Sequence, residues 1–232
     1  EALMNFVRQR SLSLSMVVLV LLGTMLMQGE ISYSTTFGKL DTFMRIPGIN
    51  HGALPTAWLI VRAAMMTVVV LLWVMDRKKR LFRSIIVMNV LLTLGLFMNL
   101  TALADALFGI SPQAIDALLI DVVLMAVTNI LIFSIWYWVI DPPGVEETLR
   151  FDEPWDFLFP QRGSELPGYE AWQPRYTDYL YLAFTTSFAF SPTDTLPLTR
   201  RAKMLMLLQS TLSLITLTGI AGAAINILAG GA

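Results

Sequence analysis

The chain has 232 residues, of which 56% are hydrophobic and only 14% are charged, and its formal net charge is -1. Soluble globular domains carry about 25% charged residues, so this composition argues against a water-soluble enzyme, and the near-neutral charge argues against a nucleic-acid partner. The chain has no cysteine and a single histidine, which excludes disulfides, thiol catalysis and a histidine-rich metal cluster. The sequence therefore predicts an integral membrane protein whose partner is the lipid bilayer, with no cofactor and no bound metal.

The apolar stretches predict an all-α, polytopic fold. A membrane-spanning helix needs about 20 apolar residues, and five stretches reach that length, at about 11–27, 57–75, 81–107, 114–140 and 200–230. The first is basic at its start, as a signal peptide is, but no small-residue cleavage site follows it, so we interpret it as a retained helix. The segment 179–190 is too short to span. We therefore predict about five transmembrane helices and one re-entrant half-helix before the last.

Residues 141–178 differ from the rest of the chain because they are acidic and contain several prolines. They also carry an aromatic string, Trp155, Phe157 and Phe159. This composition predicts a surface loop whose aromatic side chains lie against the lipid headgroups. The chain then divides into a four-helix transmembrane region, 1–140, the acidic loop, 141–178, and a C-terminal hairpin, 179–232.

The basic residues predict the orientation, since Lys and Arg are enriched in short cytoplasmic loops. Arg8 and Arg10 place the N-terminus in the cytoplasm, and counting crossings brings the run 77–83 and residues 200–203 to the same side. We expect a bacterial plasma membrane protein. The residues predicted to contact anionic lipid headgroups are Arg77, Lys78, Lys79, Arg80 and Arg83.

The C-terminal hairpin has a short aromatic-rich helix ending in Thr185-Thr186, then Asp194 and a basic start to the last helix. Residues 178–208 resemble the pore loop and inner helix of the potassium-channel superfamily, and the chain is similar to uncharacterised bacterial multi-pass membrane proteins with such a hairpin. The resemblance implies pathway-lining candidates, which are Thr185, Thr186, Ser187 and Asp194.

The hairpin also departs from that family. A potassium filter is a strand of carbonyls whose glycines allow the required backbone angles, whereas the run 186–192 has no glycine and contains a proline. Potassium selectivity is therefore not implied. The predicted topology also inserts the hairpin from the cytoplasmic face, opposite to a potassium channel. A pathway-lining hairpin and a packing element both stay open.

Four charged residues fall within the predicted spans and share one end of the bilayer: Arg62, Asp105, Asp116 and Asp121. Charges inside a membrane mark function or a specific pairing. One interpretation is an ion or proton vestibule built by all four. The other is an Arg62–Asp121 pair that holds two helices together, with Asp105 and Asp116 at the interface.

Two functions of different classes follow. The first is a channel-like or transport-related protein with its pathway near 185–194, formed by a homo-oligomer because one hairpin cannot enclose a pore. The second is a non-catalytic accessory or scaffold subunit, with the acidic loop docking unrelated membrane subunits. An enzyme is not predicted, because Asp116 and Asp121 would have to supply acid and base without a nucleophile or metal.

Overall fold

The computed structural model describes residues 12–31, 54–109, 115–141, 155–162, 167–169, 172–189 and 194–230. These residues form helices α1 (Leu12–Ile31), α2 (Leu54–Val74), α3 (Lys78–Gly109), α4 (Ile115–Ile140), α5 (Tyr176–Ala189) and α6 (Arg200–Gly230), and strands β1 (Phe157–Leu158) and β2 (Leu196–Pro197). The strands pair antiparallel, with Phe157 opposite Pro197 and Leu158 opposite Leu196. The predicted all-helical fold class is confirmed for this part of the chain.

Within the described segments, three helices are long and apolar enough to cross a membrane by length and composition. Their apolar segments are Leu12–Gly29 in α1, Lys78–Thr101 in α3 and Ile120–Ile140 in α4. In α2 the corresponding described segment is shorter, Ile60–Val74. The helices thus agree with three of the predicted spans by length and composition.

A tight turn joins α2 to α3. Asp76 adopts a left-handed conformation with φ of 52°, which aspartate tolerates better than most residues. The N–H of Arg77 donates to the carbonyl of Leu72, and the N–H of Asp76 to that of Trp73. This pair of bonds is a Schellman motif, and it places the start of α3 directly beside the end of α2.

Side-chain contacts show which helix ends lie together. The indole N–H of Trp73, at the end of α2, donates to Ser15 near the start of α1, at 3.2 Å. Phe82, near the start of α3, packs edge-on against Trp138 near the end of α4, with ring centroids 6.1 Å apart. Arg201 at the start of α6 donates to the carbonyl of Ile140.

These helix ends define one end of the bundle, which we call the basic end. Among the residues that the structure describes, every lysine and arginine except Arg62 belongs to the turn, loop segments and helix starts at this end. The predicted run 77–83 and residues 200–203 therefore lie at the same end, as the crossing count requires. Helices α2 and α4 both end there, so they run in the same direction.

Helix α4 is the centre of the bundle, in contact with α1, α3, α5 and α6. Buried polar side chains join α4 to its neighbours. Asn129 donates to Ser213 of α6 at 2.7 Å, and Asn89 of α3 donates to the carbonyl of Ile132 at 3.1 Å. Such neutral hydrogen bonds fix the rotation of each helix within an otherwise apolar core.

Part of the acidic loop is packed into the fold. Phe157 and Phe159 are buried, and Phe157 packs edge-on against Tyr137 of α4 and Tyr179 of α5. The expectation that these rings lie against headgroups is therefore wrong for Phe157 and Phe159. Only Trp155 of the string is exposed. Phe157 thus lies between α4 and α5, and Phe159 packs against Tyr179 and Trp172 beside it.

Candidate functional site

The C-terminal hairpin contains α5 and α6, and a side chain caps the start of each helix. The carboxylate of Asp178 accepts the backbone N–H of Arg175 at 2.6 Å, in the reciprocal position of a capping box. The hydroxyl of Thr199 accepts the N–H of Ala202 at 3.2 Å, as an N-cap does. These local signals explain why the two helices begin where they do.

The hairpin leaves the basic end and returns to it. Tyr179 in α5 donates to Asp141 at the end of α4, and β2 pairs with β1 beside it. Between these points Gln209 of α6 donates to the carbonyl of Ala183 and to the hydroxyl of Ser187, each at 2.7 Å. Gln209 lies about 13 Å along α6 from its start. The chain therefore goes into the bundle and comes back before α6 begins.

The pathway candidates differ in burial: Thr186 and Ser187 are buried, whereas Thr185 is half-buried and Asp194 is exposed. Thr185 and Thr186 donate to carbonyls one turn back in α5, and Thr186 is fully buried. Ser187 is also buried and accepts from Gln209. Asp194 lies on the return segment, exposed, and accepts from the hydroxyl of Thr195 at 3.3 Å. The buried pair therefore faces the chain's own interior.

The backbone around these residues is helical. Helix α5 continues to Ala189, so residues 186–189 do not form the extended strand of carbonyls that a potassium filter uses. Residues 190–193 lie outside the described part of the chain. The outer face of α5 carries the exposed side chains Tyr181, Phe184 and Phe188.

A buried carboxylate that sequence reasoning did not single out joins the loop to the hairpin. Asp141 is fully buried, and its Oδ1 accepts the backbone N–H groups of Asp156 and Phe157, at 2.8 and 3.1 Å. Its Oδ2 accepts from Arg162 at 2.8 Å and from the hydroxyl of Tyr179 at 2.6 Å. Burial raises the pKa of the Asp141 carboxyl, and Arg162, the Tyr179 hydroxyl and the two backbone donors act in the opposite direction. With four donors, Asp141 is bound as a carboxylate.

A second buried carboxylate holds the start of α6. Asp156 is fully buried and accepts two hydrogen bonds from the guanidinium of Arg201, at 2.7 and 2.6 Å. The hydroxyl of Thr199 donates to the same carboxylate, and the N–H of Leu198 donates to the backbone carbonyl of Asp156 at 2.8 Å. We call Asp141 and Asp156 with their partners the two clamps. The sequence offered one signal for the clamp at Asp141: an aspartate stands immediately after an apolar span, and α5 carries two tyrosines three residues apart, Tyr176 and Tyr179.

The predicted intramembrane charges lie away from the basic end. Arg62 is about 18 Å along α2 from Val74, and Asp121 about 30 Å along α4 from Asp141. Arg62 is half-buried and Asp121 is 8% exposed. Asp105 and Asp116 belong to α3 and α4, but their side chains lie outside the described part of the structure. The vestibule and packing interpretations both remain predictions.

The predicted headgroup contacts are at the start of α3. Arg77, Lys79, Arg80 and Arg83 are exposed there, and Lys78 is half-buried. No group of three or more acidic or histidine side chains that could hold a metal occurs in the described segments. The exposed arginines and lysine at the start of α3 form a basic patch beside apolar helices.

Comparisons with models of protein families, with curated proteins and with solved structures find no match to this chain. Its assignment therefore depends on the geometry described above.

Proposed function

We propose that this chain is an integral membrane protein of the bacterial plasma membrane, with its basic end and N-terminus on the cytoplasmic side. The support is the three apolar helices of sufficient length and the concentration of lysine and arginine at one end of the bundle. Cytoplasmic loops carry that excess. In this arrangement α5 enters from the cytoplasmic side as a re-entrant half-helix, and α2 and α6 complete the five spans.

We further propose that the protein is a non-catalytic accessory or scaffold subunit of a larger membrane complex. One observation carries this proposal: Thr186 and Ser187, two of the three polar pathway candidates in the half-helix, are buried in the chain's own interior and hydrogen-bonded there. Side chains used in this way stabilise the hairpin and do not line a pathway. The hairpin is then a packing element.

The loop supplies the docking surface in this proposal. The clamps at Asp141 and Asp156 hold segment 155–162 against α4 and α6 through ionic contacts to two buried carboxylates. Outside these clamps Trp155 and Tyr169 are exposed, and aromatic residues are enriched at protein interfaces. A partner therefore meets a preorganised surface, which lowers the entropy cost of binding.

Native mass spectrometry of the protein extracted in mild detergent tests this proposal. We expect one copy of this chain bound at fixed stoichiometry to unrelated chains. Trp155→Ala is expected to release them, while Gln173→Ala, at an exposed polar position of the same loop, retains them. A particle made only of copies of this chain would overturn the accessory function.

The second candidate is a channel-like or transport-related protein. The observation that favours it is the path of the hairpin, which enters and returns at the same end with the exposed Asp194 on the return. Pore loops have this layout, and a homo-oligomer would be needed to enclose the pathway. Cation flux into liposomes that falls in Asp194→Asn would support it. Flux unchanged by this substitution would count against a pathway at the hairpin.

A further inference from the structure

The outer face of α6 carries an apolar stripe that begins with two cations. Arg200 and Lys203 are exposed in the first turn of the helix, and Met204 and Leu207 are exposed directly after them. Positions that are three, four and seven residues apart share one side of a helix. Leu214, seven residues further along, is exposed on the same side. Basic and apolar side chains are therefore aligned along one face, which we call the outer stripe of α6.

The two cations of the outer stripe differ from the third basic residue of the same turn. Arg201 binds the buried carboxylate of Asp156 and compensates its charge. Among the described residues, neither Arg200 nor Lys203 forms an ion pair. Two uncompensated positive charges therefore lie one turn apart on the exposed side of α6, where an anion can reach both.

The apolar part of the outer stripe has the length and the chemistry that acyl chains require. From Met204 to Leu214 it extends about 15 Å, which is half of the hydrocarbon core of about 30 Å. Thr211 is exposed within this part, but its hydroxyl donates to the carbonyl of Leu207 at 2.8 Å. The Thr211 hydroxyl therefore has the internal partner that a polar group in lipid needs. The stripe matches the depth of one leaflet.

We propose that the outer stripe of α6 binds an anionic phospholipid of the cytoplasmic leaflet, with Arg200 and Lys203 at the phosphate and an acyl chain along Met204, Leu207 and Leu214. The inference rests on the membrane orientation given under the proposed function. Charge complementarity selects this ligand, because guanidinium and ammonium groups both bind phosphate oxygens. Each basic residue near an anionic membrane surface strengthens binding about fivefold, so the pair contributes about 25-fold.

The test uses phospholipids with a photoreactive diazirine in the acyl chain. The full chain, with any subunits that co-purify, is reconstituted in phosphatidylcholine nanodiscs that contain a small fraction of one probe, and labelled peptides are located by mass spectrometry. We expect a phosphatidylglycerol probe to label residues 204–214 at least about tenfold more than a phosphatidylcholine probe at the same mole fraction. Equal labelling of these residues by the two probes would overturn the proposal.

Variants at exposed positions assign that preference to the two cations. Arg200→Gln combined with Lys203→Gln is expected to abolish it, and Lys203→Gln alone to reduce it about fivefold. The matched control is Arg80→Gln combined with Arg83→Gln, which removes the same charge from the exposed start of α3. It is expected to leave the labelling of α6 unchanged. An unchanged preference in the α6 double variant, or an equal loss in the α3 control, contradicts the assignment.

Labelling of α1 separates a failure of this inference from a failure of the proposed membrane placement. Leu19 of α1 is 72% exposed, and both probes are expected to label it equally because no cation adjoins it within α1. Labelling of α1 without labelling of α6 would mean that a protein covers the outer stripe, which overturns the lipid site alone. Absence of labelling from both helices would overturn the membrane placement together with the lipid site.

Discussion

Buried polar side chains are satisfied by different partners at the basic end and in the middle of the bundle. At the basic end two aspartates are buried, and each is bound by a guanidinium together with hydroxyl or backbone donors. In the middle, α4 and α6 are joined by uncharged groups, Asn129 with Ser213 and Tyr137 with Gln209.

The difference follows from the cost of desolvation. Removing an ion pair from water costs several kcal/mol per ion, and only excellent geometry with further hydrogen bonds offsets it. At the end of the helices the loop supplies those donors. In the middle of the bundle only helix side chains and carbonyls can serve as partners. Neutral hydrogen bonds there avoid the free energy of desolvating a charge. Substitutions at the basic end should therefore have the larger effects on stability.

The largest effect is expected for Arg162→Met. Both the Arg162 and Asp141 side chains are almost fully buried, so the substitution leaves the carboxylate without its cation and costs about 3–5 kcal/mol. Unfolding in mixed detergent micelles, followed by circular dichroism, measures this. Arg175→Met, at an exposed position, is the control and is expected to change little. A loss under 1 kcal/mol for Arg162→Met would contradict the assignment of this clamp.

An intermediate effect is expected for Gln209→Leu, which removes three hydrogen bonds at once. Leucine has a similar shape, but it leaves the Tyr137 hydroxyl and Ser187 without this partner, at a cost of about 2 kcal/mol. Tyr137→Phe removes only one of the bonds and is expected to cost less in the same unfolding measurement. If Tyr137→Phe costs as much as Gln209→Leu, the bonds from Gln209 to α5 contribute nothing.

The smallest effect is expected for the pair Asn129 and Ser213. Ser213→Ala removes one neutral hydrogen bond and costs about 0.6 kcal/mol, the average in membrane bundles. Asn129→Leu is expected to cost less still, because it also removes a buried Oδ1 atom that has no hydrogen bond. A double-mutant cycle on both positions measures the coupling. A coupling as large as that of Arg162 with Asp141 would erase the contrast between the two regions.

The helices were predictable because their signals are local. An apolar run and the residues that interrupt it locate a helix from neighbouring positions alone. Each described helix starts and ends within a few residues of its prediction. The short α5 was predicted as well, since its length alone excludes a span.

The clamps were not predictable, because they join residues far apart in the chain. Asp141 and Arg162 are separated by a loop whose acidic composition is typical of an exposed surface, so burial of Phe157 could not be inferred from it. The hydrogen bond that Ser187 accepts likewise comes from Gln209, which lies in another helix. The sequence of a half-helix indicates its length. It does not indicate which face of the half-helix packs against the bundle.

The double use of Thr199 has a consequence for how the chain is assembled. Its hydroxyl accepts the N–H of Ala202 at the start of α6 and donates to Asp156 in the loop. Ribosomes make chains from the N-terminus, so Asp156 exists before Thr199 and Arg201 emerge. Until then the Asp156 carboxylate lacks Thr199 and Arg201, and only the contacts to Asp141 can hold the loop. The second clamp and the start of the last helix therefore form in one late step of biogenesis, and a chain truncated before residue 199 should be cut more readily by proteases at 155–162 than the full chain.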